Sequence, residues 1–516
     1  MSPLYPKLLW AASFLGRAFR ADPIESIACK RIDSEIPNRV SYPASSAYIA
    51  AQSQYYSGQE SELRPACIFS PQNTSEVSHF IKLMTVDAEG TRLSSFSPQF
   101  AIRGGGHSVW SGAANIDGGI TIDMRAMNSV VLSDDQKVAS IGAGGIWSMI
   151  YPQIEPYNLT VAGGRVAGVG LGGFLTGGGI SYLSRRHGWA CDSVYGYEVV
   201  LASGETVYAT ADLHRDLWLA LKGGSNNFGI VTRFDVATYP IKNMWGGTLM
   251  FEYNKSLLEA QAQAFSNFMD PKNFDDAASM FVALFYINGI WVAANVLFYI
   301  EPVANPPAFQ EFTSISSPLS STLRLTKVSD VATEQPSTLS LEANRAIDIV
   351  VSFKNPSPTV YSELFQAWED GTKSLAEIAG LQLSLLIQPH PVSNGTNSLG
   401  LSPGGDDLVM SVITVAYSNK ADDAVVQKGM ESIIEKHTEI LSREGAYIPF
   451  QYLNYADKAS QDPIGSYGQV VRARLQAAST KYDPHGLFQT GVPSGFKLFD
   501  SKDTGTTEDL PEKDEL

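Results

Sequence analysis

The sequence predicts an α+β protein of two units, and three observations lead there. Its 516 residues, 44% hydrophobic and 17% charged, suit a folded chain of two or three domains rather than a disordered one. Up to about residue 243, short apolar runs alternate with stretches of helical spacing. From Met244 the texture changes to long alternating strands separated by amphipathic helices, the pattern of a sheet carrying helices on one side.

Taken in order, residues 66–69 read as a short strand and 75–81 as a helix, and 100–102 as a strand running into Gly104. Ile120, Ile122 and Met124 alternate with polar neighbours and predict a half-buried strand, whereas Ile146, Met149 and Ile150 have helical spacing. Residues 197–208 read as a hairpin turning at Ser203-Gly204, and 228–236 as the closing strand of the first unit. In the second unit, strands are expected at 246–253, 279–287 and 289–299, and helices at 257–268, 362–379 and 421–443. The segments 302–318 and 392–406, rich in Pro, Gly, Ser and Asn, are expected to be mobile loops. A helix over 468–481 stops at Tyr482-Asp483-Pro484, and no internal repeat is present.

A formal charge of −16 argues against nucleic acid or an anionic membrane as partner, because both select basic surfaces, and favours a small neutral or cationic substrate. No Ser/His/Asp constellation or metal-ligand spacing stands out, which sets hydrolase and metalloenzyme chemistry aside.

The chemistry concentrates in two glycine-dense segments, Arg103-Gly104-Gly105-Gly106-His107-Ser108 and residues 163–179, where nine of seventeen residues are glycine against 44 in the whole chain. Glycine forfeits side-chain packing and costs about 0.5–1 kcal/mol per residue against alanine, so something must approach that backbone closely. Turns of successive N–H groups form anion-binding concavities, which points to a large phosphate-bearing cofactor, with Arg103 adding charge and His107 free of local bulk. Gly168-Val169-Gly170-Leu171-Gly172-Gly173 also fits the dinucleotide fingerprint G-x-G-x-x-G, with Asp192 near the spacing of a ribose-binding acid. That reading requires a helix to open at the loop, and Gly177-Gly178-Gly179 is expected to melt it at about 1 kcal/mol per glycine.

These motifs, together with Gly188-Trp-Ala-Cys191-Asp192, Lys222-Gly-Gly-Ser-Asn-Asn-Phe-Gly-Ile230-Val231, Tyr452-Leu-Asn454-Tyr455 and Tyr482-Asp-Pro484, resemble the berberine-bridge-enzyme type of the vanillyl-alcohol-oxidase superfamily. The resemblance runs from about Cys67 to about Phe499. It implies a two-lobed PCMH-type FAD-binding domain at 36–242, a substrate-binding α+β domain with a large antiparallel sheet at 243–445, and a segment 446–500 returning to the first domain. Residues 1–35 are then a leader and 501–516 an acidic tail.

By the same resemblance FAD is held by Arg103, Gly104, Gly105, Gly106, Ser108, Val169, Gly170, Gly172, Gly173, Gly178, Asp192, Ile230 and Asn454, and His107 bonds covalently to its 8α-methyl carbon. Val166 stands where many relatives have a second tethering cysteine, so a single link and a somewhat less oxidising flavin are expected. Val169 aligns with a small valine that leaves room for dioxygen, which favours an oxidase. The implied activity is oxidation of a small hydrophobic or phenolic specialised metabolite, with O2 as acceptor and hydrogen peroxide released. The alternatives are a flavin-bound non-redox cyclase and a carbohydrate oxidase. Ile180 stands where plant relatives have tyrosine, so Tyr452, Tyr455, Tyr182 and His187 are the candidate bases, in that order.

The terminal Lys513-Asp514-Glu515-Leu516 reads as an address recognised by the endoplasmic-reticulum retention receptor. The apolar run 8–15 after Lys7 has signal-peptide length and is too short to span a membrane. A monomer in that lumen is expected, or else a secreted one. A Cys29–Cys67 bridge suits that compartment and the family pattern, leaving Cys191 as a buried thiol. Sequons at Asn73, Asn158, Asn254 and Asn394 permit glycosylation.

Overall fold

Three sheets organise the chain in the computed structural model, which describes residues 23–87, 91, 96, 98–334, 345–405 and 407–499. The leader up to residue 22 and the terminal tetrapeptide lie outside the described residues.

The first sheet has the order β1(Val40–Ser41), β2(Cys67–Phe69), β4(Ile120–Asp123), β3(Phe100–Arg103), with β2, β4 and β3 parallel. Strand β4 lies between its two parallel neighbours and is buried along its whole length. The half-buried strand expected there is thus corrected, because a central parallel strand is covered on both faces. The second sheet runs β5(Val130–Leu132), β6(Val138–Gly142), β10(Ile230–Pro240), β8(Val194–Val200), β9(Thr206–Thr210), with β7(Leu159–Val161) also on β10. Its pairings are antiparallel, and β8–β9 is the expected hairpin.

The third sheet joins nine strands in the order β14(Ser320–Ser321), β11(Met244–Glu252), β13(Ile290–Tyr299), β12(Ala278–Ile287), β17(Gln382–Pro389), β18(Leu408–Tyr417), β16(Arg345–Lys354), β19(Tyr447–Ile448), with β15(Arg324–Thr326) also on β11. Alternate residues divide its two faces. Met280, Val282, Leu284, Ile349, Val351, Leu383, Leu385, Ile413 and Val415 form one core with helices Lys255–Phe268, Pro358–Ser374 and Asp423–Arg443. Phe281, Ala283, Phe285, Val350 and Met410 on the other face join the core of the first two sheets.

Three expectations are corrected here. The leader predicted for 1–35 includes helix Pro23–Glu35, which buries Cys29 and Ile32 and is tied to β2 by the Cys29–Cys67 disulfide, Cα–Cα 6.1 Å. The loop 302–318 contains helix Gln310–Thr313 and buries Phe309 and Phe312 completely. In the loop 392–406, Ser393 and Gly404 bridge and Leu399 is fully buried, so both loops are pinned by apolar anchors that their polar composition conceals.

After the large sheet the chain returns to the first unit: Asn227 donates to the Phe496 carbonyl (2.9 Å), and the Gly179 N–H donates to the Tyr452 hydroxyl (2.9 Å). Among the described residues no helix is long and apolar enough to cross a membrane.

Candidate active site

Where the returning segment, the glycine loops and the inner face of the large sheet meet, they enclose a cavity of about 390 Å³. Its two walls are built on different physical principles.

The first wall is backbone. A Cβ added at Gly105 would sit 2.5 Å from the Gly170 nitrogen, and one added at Gly170 would collide in turn with Gly105, so the two loops touch in a way that only glycine permits. Gly104 and Gly173 line the cavity, and a Cβ on Gly173 would meet nothing within 4 Å. The helix that was expected to melt does form, as Leu171–Thr176, and Gly177 ends it after six residues. Gly106, Ser108, Val169, Gly172 and Ile230 complete the lining of this side.

His107 projects between the loops. Its ring stacks on Tyr56 at 3.8 Å with 20° between the planes, while the Tyr56 N–H donates to the Gly106 carbonyl (3.0 Å). Burial pulls the imidazole down to about 4, so it is neutral, with a lone pair available, at ordinary pH. A narrow glycine cradle beside a neutral imidazole fits a tethered, phosphate-bearing cofactor.

The second wall is side chains. Phe281, Asp348, Ser384, Leu386, Val412 and Thr414 reach the cavity from the inner face of β12, β16, β17 and β18. Asp348 pairs across strands with Thr414, and Thr414 with Ser384, so three polar groups lie in one row among apolar ones. Asp348 Oδ1 is sealed from solvent and has no hydrogen-bond partner. Burial raises its carboxyl to about 6, the Thr414 hydroxyl pulls the other way, and the negative charge of Asp457 adds to the rise.

Of the expected bases, Tyr452 and Tyr455 line the cavity. The buried Tyr452 hydroxyl accepts from the Gly179 N–H and from the Asn454 amide (2.9 Å each), and desolvation holds the phenol well above its usual 10. Such a group positions Asn454, whose amide also donates to the Phe174 carbonyl (3.3 Å), and is poorly suited to take a proton. Tyr182 and His187 do not reach the cavity. The Tyr182 hydroxyl donates to the Arg165 carbonyl (3.0 Å), and the His187 ring stacks on Tyr239 at 4.0 Å.

Three expected cofactor contacts also lie behind the wall. Arg103 is fully buried beneath the first loop, donates to the Ala51 carbonyl (2.7 Å), lies over the Tyr55 ring (3.7 Å) and faces Asp123 at 3.9 Å. Its charge therefore lies inside the fold, with Nε and Nη2 unpartnered against Gly106. Gly178 packs against Trp189 and Tyr452. The Asp192 carboxylate accepts from the Trp189 N–H, the Asn397 amide and the Thr396 hydroxyl, and so ties down the loop 392–406. Asp348, Arg165 and Tyr56 escaped the sequence reading. A lone acid within the apolar run Ala346-Ile-Asp348-Ile-Val350 was the available signal for the first.

A sequence profile described as an FAD binding domain matches residues 65–210. The chain is 34% identical over 487 residues, 90% of its length and 91% of the relative's, to the FAD-dependent monooxygenase tpcD of Cochliobolus heterostrophus. It is 31% identical to the bifunctional solanapyrone synthase of Alternaria solani, over 92% of this chain and 89% of that one. Among solved structures it resembles 6-hydroxy-D-nicotine oxidase from Arthrobacter nicotinovorans, with TM-score 0.73, 20% identity and 90% and 98% of the two chains covered. It also resembles a glucooligosaccharide oxidase from Acremonium strictum described as carrying 6-S-cysteinyl, 8α-N1-histidyl FAD, with TM-score 0.72, 18% identity and 92% and 99% covered. The chain belongs to the family of these fungal FAD-dependent oxidoreductases, and its fold is that of the PCMH-type FAD-linked oxidases.

Proposed function

We propose that this enzyme is an O2-using oxidase that takes two electrons and two protons from a small, largely apolar metabolite and releases hydrogen peroxide. The observation that carries this reading is that His107, between the touching glycine loops, and Asp348, on the sheet, line one cavity. When bound, FAD supplies the electron sink and dioxygen its reoxidation.

The chain's own residues have separable roles. His107 is the expected single covalent tether, and the neutrality of its imidazole supports that role. Gly104, Gly105, Gly170, Gly172 and Gly173 receive the pyrophosphate, and Asn454, fixed by Tyr452, orients the ring system. Asp348 is the general base: its unpaired oxygen has no competing donor, and its raised pKa keeps it near the range in which a carboxylate is both ionised and basic. The apolar side chains of Phe281, Leu386 and Val412 exclude water and favour an apolar scaffold. Val169, at the cavity surface, is the expected point of dioxygen access.

The names of relatives favour a second reading, monooxygenation, in which one oxygen atom enters the product and an external two-electron reductant converts the other to water. Labelled dioxygen separates the two, because an oxidase leaves no label in the product and yields one peroxide per turnover.

Acid precipitation of the purified protein is the primary test. Flavin absorbance is expected to stay with the wild-type pellet and to leave with the supernatant in His107→Ala; a bond retained in that variant would overturn the tether. Dithionite-reduced protein is expected to reoxidise rapidly in air, whereas slow return of the oxidised spectrum would exclude the oxidase. The Cys29–Cys67 bridge supports an oxidising compartment, and deletion of residues 513–516 is expected to shift the protein from lumen to medium.

A further inference from the structure

Among the described residues Arg165 is the one arginine in the cavity lining, and it is 9% exposed. It leaves the chain just after β7, donates from Nη2 to Gln388 Oε1 (2.6 Å) and to the Tyr455 hydroxyl (3.4 Å), and lies over the Phe281 ring at 5.4 Å. All three partners are neutral. Among the described residues no carboxylate forms an ion pair with it, and the acids near that side are committed elsewhere: Glu155 accepts from Ser329 and Glu334 pairs with Arg324. A guanidinium nine-tenths removed from water without a counter-charge carries a desolvation cost that an anion entering the cavity would offset.

The geometry points to Arg165 as the anchor for an acidic oxygen of the substrate. We infer that the substrate is an apolar, aromatic or polyene-like body ending in a delocalised oxyanion, a carboxylate or the enolate or phenolate of an acidic carbonyl compound. The planar fork of arginine suits such a group bidentately, and Phe281 and Leu386 offer surface for the body beside it. Gln388 lies four residues along and two strands across from Asp348, with β18 between, roughly 17 Å at the backbone. The anchor and the base therefore address different ends of one substrate. The overall charge of −16 favours a neutral or cationic substrate, but the Arg165 guanidinium in the cavity lining sets a local field of the opposite sense.

The inference rests on the cavity being the substrate site, as proposed above, and is tested without turnover. Binding of 2-naphthoate and of its neutral isostere 2-naphthamide to the holoenzyme is measured by calorimetry at pH 7.5, for wild type, Arg165→Met and Arg165→Lys. Wild type is expected to prefer the carboxylate by about 10–100-fold. Arg165→Met is expected to lose that preference while holding the amide within about twofold, and Arg165→Lys to keep part of it. Equal binding of the two probes by wild type, a preference that survives Arg165→Met, or failure of wild type to bind either probe overturns the inference. The flavin band of each variant and its reduction by dithionite report separately on the cofactor, so loss of flavin from wild type would break the oxidase reading and leave the anion preference to stand or fall by itself.

Discussion

The two walls of the cavity encode chemistry differently. On the glycine-loop wall the important property is the absence of side chains, at positions fixed by local turn geometry. On the sheet wall it is the side chains themselves, and which of them face the cavity is set by strand register. Each wall also has a buried carboxyl pushed upward by desolvation, Glu60 beneath the loops and Asp348 on the sheet. Glu60 Oε1 accepts from the Ala114 N–H (2.8 Å), with the Ala113 and Gly112 amides also pulling its pKa down, and Asp348 is held down by the Thr414 hydroxyl; each acid keeps one buried oxygen without a partner, but only Asp348 lines the cavity. A buried acid turned toward backbone donors holds a loop; one whose free oxygen lies at a cavity is available to a substrate.

The sharpest way to break the contrast is Gly170→Ala. With the Gly105 backbone in the path of the new Cβ, the loops must separate, and flavin incorporation is expected to fall by more than about 100-fold, since misplacing a positioning backbone by about 1 Å costs that order. Absorbance at equal protein concentration measures it, and normal flavin content would show that the loops need not touch. Asp348→Asn should follow, with flavin retained and turnover reduced by about 10²–10⁴-fold. The wild-type rate should rise with pH through about 6 as Asp348 ionises, and that limb should vanish in the variant. A pH profile unchanged in shape would assign the base elsewhere.

Tyr452→Phe sharpens the assignment from the other side. If the hydroxyl only fixes Asn454 and Gly179, its removal costs about tenfold or less in rate, the worth of one or two hydrogen bonds; a loss like that of Asp348→Asn would make Tyr452 the base. The smallest effect is on stability alone. Glu60 keeps its proton up to about 8 when folded and loses it near 4.5 when unfolded, so between those values the unfolded chain binds fewer protons and wild-type stability falls as pH rises. Glu60→Gln is expected to be neutral below pH 4.5 and stabilising by on the order of a few kcal/mol at pH 8, read from denaturant midpoints. A pH-independent difference would mean that Glu60 titrates normally.

By itself the sequence determined the glycine wall, the tether candidate, the flanking strands of the first unit, three strands and three helices of the second, and the class of cofactor. Each of these is written in residues close along the chain: the 103–108 loop, the glycines of 163–179, the alternation in β12 and β13. Only the tertiary structure decided which charges the cavity holds. Arg103 and Asp192 carry suitable chemistry at suitable spacing yet are turned away from the cavity, Arg103 beneath the first loop and Asp192 onto Asn397. Asp348 and Arg165 are ordinary in their local sequence and become exceptional because register and chain return leave one with an unpartnered oxygen at the cavity and the other without a counter-ion among the described residues. Backbone preferences are local and survive in the sequence, whereas the protonation and pairing of a buried group depend on everything packed around it.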